Sequence, residues 1–304
     1  MKILILCSKN SGRIAPFITD QVEALQKAGV VCEYFTVEGK GVKGYLRNFI
    51  PMMRKIREFQ PDIIHAHYGL SGLLANLQRK VPVVTTYHGS DINNPKVLRY
   101  SKVSIILSAW NIFVSDKNIQ LAGVKGKFSL IPCGVDTDIF RPIERKPVRE
   151  KLDLRESDHI VLFAGAFDNP VKNPELAKEA LAKVPDARLM EMKGYSRVQV
   201  AELMNAADVC LMTSHSEGSP QFIKEAMACG CPIVSVDVGD VAEILEGVEG
   251  CRIADKNATD VAQKIEQVLI ENKRTNGREK LIMMGLDSES VAQKIISIYN
   301  EVLA

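Results

Sequence analysis

Glu217 and Glu225, with seven residues between them, lie in the segment SHSEGSPQFIKEAMACGCPIVSV, residues 214–236. Ser219 is placed to cap a helix, and Pro220 suits its first position, where a missing N–H costs nothing. Phe222, Ile223, Ala226 and Met227 then recur on one face at the 3.6-residue spacing. Gly230 and Pro232 stop the helix, and Ile233–Val236 reads as a buried strand. Glu225 falls away from the apolar face, and Glu217 lies in the loop before it. A helix N-terminus with unpaired N–H groups attracts phosphate. Ionised carboxylates are acceptor-only groups and suit the hydroxyls of a sugar. The plainer alternative is a loop acid followed by a solvent-facing helical Glu.

Three further places carry polar chemistry. Asn173-Pro174 opens another helix, with Asn173 as cap and Lys172 just before it, one positive charge beside a helix N-terminus where a diphosphate could bind. A strand over 81–87 ends in His88-Gly89-Ser90-Asp91, and one over 62–67 carries His65 and His67 on one face by the period of two. No acid or Cys at ligand spacing accompanies these two histidines, so no metal site is expected. Gly12 lies in a small polar loop after the first strand, where it serves equally well as a turn residue.

The elements that must position these groups alternate strand and helix from end to end, the pattern of parallel α/β architecture. Strands are expected at 2–7, Val31–Val37, 62–67, 81–87, 103–107 and 112–115, then at 159–165, 187–192, 208–213, Ile233–Val236 and 250–253. Helices are expected at 17–28, 198–206, Val241–Leu245, Ala258–Glu271 and 287–303. Ligands of such sheets sit outside the carboxyl ends of the strands. The first strand–loop–helix–strand lacks a full GxGxxG, which speaks against a dehydrogenase. Residues 143–158 are charged and follow Pro142, as a linker would.

Length and composition bound the rest. A chain of 304 residues has room for two domains, each with its own core. A net charge of +2 gives no reason to invoke nucleic acid. Seven irregularly spaced cysteines, with Cys229-x-Cys231 matching neither a redox pair nor a zinc motif, read as small buried hydrophobes in a reducing cytoplasm. The run MKILILC is too short for a signal peptide, and no segment is long enough to span a bilayer. Between 38 and 60, Lys40, Lys43, Arg47, Arg54, Lys55 and Arg57 outnumber Glu38 and Glu58 and interleave with Tyr45, Leu46, Phe49, Ile50, Met52, Met53, Ile56 and Phe59. That mixture suits peripheral contact with anionic lipid through 40–59 at the inner face of a membrane, although Pro51 should break or kink the helix. A crossover helix with one solvated basic face is the simpler reading.

The spacing Glu217-(seven residues)-Glu225 followed by AMACGCPIV resembles the E-x7-E signature of retaining glycosyltransferases of family 4, which have the GT-B fold. HGSD (88–91) resembles that family's HG-x-D motif, and SLIPCGVDTDIFRP (129–142) resembles the segment ending its first domain, with Cys133 where Asn is usual. The resemblance implies two Rossmann-like domains facing across a cleft: 1–142 on the acceptor side, 143–158 as linker, 159–286 binding the nucleotide sugar, and a last helix, 287–304, crossing back. It implies His88 and Glu217 as catalytic groups, and Gly12, Lys172, Asn173, Gly218, Ser219 and Glu225 around the nucleotide sugar. There Glu225 would hold the ribose and Glu217 the transferred sugar, with Asp91 at the acceptor side. It also implies metal-independent transfer, with no cofactor, of a sugar to a glycan or glycolipid hydroxyl. No protein nucleophile stands out, as front-face attack assisted by the leaving phosphate would require. The family's Arg before the phosphate-binding Lys is missing, since Ala166 holds that place; Lys193, Arg197 or Arg13 must compensate or donor binding is weak. Two alternatives remain open: a non-hydrolysing nucleotide-sugar epimerase, whose acid/base carboxylates cannot be placed, and a catalytically idle nucleotide-sugar-binding partner.

Overall fold

Ile3 and Ile5 face one way and Leu4 and Leu6 the other, and each pair enters its own apolar layer. That is the sequence mark of a parallel strand covered on both sides. The computed structural model describes all residues from Met1 to Ala304. It divides into two units, Met1–Gly134 with Ser288–Ala304, and Val135–Asp287.

The first unit holds a six-stranded parallel sheet of β1 (Lys2–Ser8), β2 (Val31–Val37), β3 (Ile63–His67), β4 (Val83–Tyr87), β5 (Trp110–Phe113) and β6 (Phe128–Leu130), in the order β2-β1-β3-β4-β5-β6. The helix Pro16–Lys27 and the last helix, Ser288–Leu303, cover one face through Val22, Leu25, Ile295 and Tyr299. On the other face lie Met52, Ile56 and Phe59 of the helix Phe49–Phe59 and Leu74 of the helix Gly69–Asn76. The chain leaves β1 towards β2 and returns to β3 on the opposite side. The loops after β1 and β3 therefore flank a switch point, where such sheets open a crevice.

In the second unit β7 (His159–Phe163), β8 (Ala187–Glu191), β9 (Val209–Met212), β10 (Ile233–Val236) and β11 (Arg252–Ala254) pair in parallel in the order β11-β10-β9-β7-β8. Here the switch point lies between β7 and β9. Ile160, Leu162, Cys210 and Met212 pack on Phe222 and Met227, while Val161, Phe163 and Leu211 pack on Ala177, Val261 and Ile265.

Several expectations need correction. Residues 103–107, expected as a strand, end the helix Pro95–Leu107. Asn94 caps it by accepting from the Lys96 N–H, Pro95 opens it, and Ser101, Ser104 and Ile105 form its buried face, a helical spacing hidden in an apolar run. Pro51 makes no kink; it sits in the first turn of Phe49–Phe59, after a break from the helix Gly41–Leu46. Residues 143–158 are not a linker. They contain the helix Arg145–Lys151, and Val148 and Leu154 join the second core. Arg149, 1% exposed, bonds Asp208 at 2.8 Å and the carbonyls of Ala206, Arg155, Glu156 and Asp158, so its many donors are satisfied inside. The division between units falls after Gly134, because Val135 and Phe140 are buried in the second core.

The helix Gly69–Asn76 crosses Pro95–Leu107 at very short range. A Cβ on Gly69 would stand 2.0 Å from Ser101 Oγ and 2.8 Å from its Cα. Gly69→Ala must therefore push backbone apart, and we expect it to cost about 1–3 kcal/mol in urea denaturation. A loss within experimental scatter of zero would contradict this close crossing.

Candidate active site

The loops at the carboxyl ends of β1, β3 and β4 gather the first unit's candidate groups. Gly12 has φ +87° in the exposed loop after β1, and its N–H donates to the Lys9 carbonyl at 2.9 Å. Asn10 steadies that loop by pairing both ways with the Gly39 backbone, at 2.8 and 2.7 Å. His88 leaves β4 between the rings of Phe17 and Tyr68, each 4.7 Å away between centroids.

Asp91, expected on the acceptor side, instead turns its carboxylate inward. Oδ1 accepts from the N–H groups of His88 and Gly89 at 3.0 and 3.1 Å, and Oδ2 accepts from Gly69 N–H at 2.9 Å. With 3% exposure it is a clamp on the backbone that carries His88. Burial pushes its pKa up to about 6, against the pull of those N–H groups. His65 and His67 are fully buried in β3. His65 bonds the Tyr299 hydroxyl through Nδ1 and Thr86 Oγ1 through Nε2, and burial pushes its pKa down to about 3. No three His, Cys, Asp or Glu side chains converge as a metal site would require.

In the second unit, Lys172 closes a short 3-10 turn, Pro170–Lys172, after β7. Asn173 follows at φ +52°, in the cap position of the helix Pro174–Leu181, though its side chain bonds no helix N–H. Thr213, just beyond β9, donates its hydroxyl to the carbonyls of Lys172 and Asn173 at 3.0 and 2.8 Å. This fastening brings Lys172 Nζ within 2.6 Å of Glu217 Oε1, in an ion pair about one-fifth exposed. A Cβ on Gly165 would press to 3.0 Å on Lys172 Cγ, so any larger residue there would have to displace the Lys172 side chain.

Pro220, and not Ser219, occupies the cap position of the helix Gln221–Ala228, and the cap residue's side chain bonds no helix N–H. Ser219 Oγ instead accepts from Lys224 Nζ at 3.2 Å. Gly218 is buried, and a Cβ on Gly239 (φ +63°) would fall 2.3 Å from its carbonyl oxygen, so the loops after β9 and β10 touch backbone to backbone. Glu225, read as turned away from the helix's apolar face, is not solvent-facing: it is 5% exposed and pairs with Arg197, whose guanidinium lies 4.5 Å over the Phe140 ring. Both glutamates thus enter ion pairs.

The position of the missing arginine is also defined. Met192 N–H donates to the Gly165 carbonyl, so Lys193 leaves β8 alongside Ala166, where it pairs with Asp168 at 2.6 Å. Arg197 is engaged by Glu225, and Arg13 lies exposed in the first unit. Sequence reasoning missed Asn10, Lys224 and Asp240. Lys224 is fully buried, and Asp240 rises to about 6 through burial, held back by Lys224 and Ser219. Their only signal was a polar or charged residue beside the apolar face of a helix or in a turn next to a glycine.

Asp91 supplies a pH test. Its folded pKa lies above its ordinary value, so between about pH 4 and 6 the folded chain holds a proton that the unfolded chain has lost. Stability from this group therefore falls as pH rises through that window. Relative to Asp91→Asn, wild type should lose up to about 3 kcal/mol between pH 4 and 6.5 in chemical denaturation. A pH-independent difference, or one of opposite sign, would contradict a buried carboxyl.

Two family models match the chain, Glycosyltransferase Family 4 over residues 14–139 and Glycosyl transferases group 1 over residues 148–271. A D-inositol 3-phosphate glycosyltransferase of Mycobacterium marinum is 26% identical, over 71% of this chain and 57% of its own length. The chain thus spans a little over half the length of that curated relative. Among solved structures, a sucrose-phosphate synthase from Thermosynechococcus elongatus superposes with TM-score 0.87 at 19% identity, covering 99% of both chains. Anabaena HepE, solved with UDP-glucose, gives 0.77 at 18%, over 99% of this chain and 100% of its own. The shared fold is GT-B, two Rossmann-like parallel-sheet units. With the two models falling one after the other along the chain, it belongs to glycosyltransferase family 4, the group 1 glycosyl transferases.

Proposed function

We propose that the chain transfers a sugar, with retention at the anomeric carbon, from a nucleoside-diphosphate sugar to a hydroxyl of a glycan or glycolipid. The observation that carries this reading is the Lys172–Glu217 pair at the carboxyl ends of β7 and β9, in a chain of this family. A diphosphate arriving at Lys172 competes with Glu217 for the ammonium, and a released Glu217 carboxylate can accept from a sugar hydroxyl. The N–H groups at the start of Gln221–Ala228 and the backbone of Gly218 and Ser219 add neutral donors for developing negative charge. In this reading Glu225, held by Arg197, offers its second oxygen to a ribose, and Asn173, in the loop with Lys172, is assigned to the phosphates. Gly12 is assigned to the phosphates and His88, carried by the Asp91 clamp, to the transferred sugar.

A relative in fold, Anabaena HepE, has been solved with UDP and with UDP-glucose, which supports a nucleotide sugar as donor. No metal or cofactor enters this scheme. Turnover of a panel of radiolabelled nucleotide sugars tests it, with and without excess EDTA. We expect glycosyl transfer from at least one donor, undiminished by EDTA. Isomerisation of the donor, no turnover, or activity lost on chelation and restored by Mg²⁺ would contradict it.

The reading includes peripheral contact with an anionic membrane through residues 40–59. No helix of the chain is long and apolar enough to cross a membrane. Leu46 and Ile50 are 48% and 65% exposed, beside exposed Lys43, Arg47 and Arg54, while Lys55 is paired with Glu33. Apolar tips in a basic ring suit an anionic interface. The chain should sediment with phosphatidylglycerol vesicles and not with pure phosphatidylcholine; equal behaviour with both would refute the contact.

The two glutamates are separable. Glu225→Gln should raise the donor dissociation constant, and Glu217→Gln should chiefly lower kcat. Each loss of a charge-assisted bond is expected to cost about 1.5–3 kcal/mol, roughly ten- to a hundredfold. Unchanged donor binding and turnover in both variants would remove the basis of the assignment.

A further inference from the structure

Three imidazoles form a column at the ends of β3 and β4. His65 and His67 stack at 4.6 Å with planes 15° apart. His67 lies nearly parallel to His88, at 19° and 5.2 Å between centroids, and its Nδ1 is 3.0 Å from His88 Nε2. Both ends of the column are held. His65 is bonded by Tyr299 and Thr86, and His88 Nδ1 lies 3.6 Å from Cys133 Sγ. His67 Nε2 is buried and has no hydrogen-bond partner.

That last fact sets the direction of the bond in the middle. His67 is fully buried beside two other imidazoles, which favours its neutral form, with one proton on one of its two nitrogens. If that proton sat on Nε2, a buried N–H would have no acceptor. If it sits on Nδ1, Nε2 keeps only a bare lone pair. An orphaned buried donor is the rarer of the two. The Nδ1 proton then also makes a good bond, since it points at His88 Nε2.

We propose that His67 is a positioning residue, donating from Nδ1 to His88 Nε2 and so fixing His88 as its Nδ1–H tautomer. His88 then directs its own N–H towards the Cys133 sulfur. Sulfur is a weak acceptor, so an oxygen of a phosphate or sugar can take over that N–H when substrate binds. In this arrangement His88 acts on the substrate as a neutral donor and not as a base. Only the effect on turnover rests on the reading of His88 as a substrate-facing group; the tautomer does not.

The chain has five histidines, so their imidazole resonances can be assigned by single substitutions. Long-range ¹H–¹⁵N correlation on the full chain near neutral pH should show His88 protonated on Nδ1. His67→Phe keeps a flat ring in the column but no N–H, and should shift His88 towards Nε2–H, the form free histidine prefers. His67→Asn places an amide nitrogen where Nδ1 was and should restore Nδ1–H. An Nε2–H His88 in the wild type, read without any variant, overturns the proposal. Nδ1–H retained in His67→Phe does so too. In the transfer assay His67→Phe should lower kcat on the order of ten- to a hundredfold with KM unchanged, and His67→Asn should recover it. A tautomer shift that leaves kcat untouched would instead remove His88 from the catalytic site while leaving the tautomer assignment standing.

Discussion

The carboxyl ends of parallel strands carry nearly every group considered above, and the constraint begins with the strands themselves. A parallel strand buried on both faces is largely apolar, with buried exceptions such as His65 and His67 of β3 that need partners inside, so most polar chemistry is pushed to the loop that follows it. In the first unit this gives Lys9 to Ala15 after β1, Tyr68 after β3 and His88 after β4. In the second it gives Gly165 to Lys172 after β7 and Ser214 to Pro220 after β9. Because the strands start and stop in register, their loops are placed by the sheet and need only short fastenings. Thr213 on the Lys172 and Asn173 carbonyls, Asn10 on the Gly39 backbone, and Asp91 on three N–H groups are such fastenings.

The sheets were legible for this reason. Val31–Val37, Ile233–Val236 and Ala258–Glu271 were read with the bounds they have, since length and period separate a short strand from a longer amphipathic helix. Residues 103–107 were misread because VSIIL is apolar in either period; only Asn94-Pro95, nine residues earlier, marks the helix start. Residues 143–158 were misread because charge was equated with exposure, whereas Arg149 meets four carbonyls and a carboxylate that a local pattern cannot show.

The site was legible as a set of residues and less so as a set of contacts. Glu217, Lys172 and His88 were singled out from spacing and from the loops they occupy. That Lys172 pairs with Glu217, that Glu225 is buried against Arg197, and that Asp91 faces inward depend on partners 20 to 45 residues away in sequence or on backbone groups. These pairings change the electrostatic picture. In the second unit the candidate charges are already paired, so under the proposed function a diphosphate reaching Lys172 would exchange one partner of its ammonium for another.

Calorimetric titration of the wild type and Lys172→Met with UDP, GDP and ADP tests that exchange most directly. At least one of these nucleotides should bind the wild type, and Lys172→Met should weaken it about tenfold or more, the loss of a charge-assisted contact to phosphate. No binding of any of the three to the wild type, or equal affinity for wild type and Lys172→Met, would contradict it.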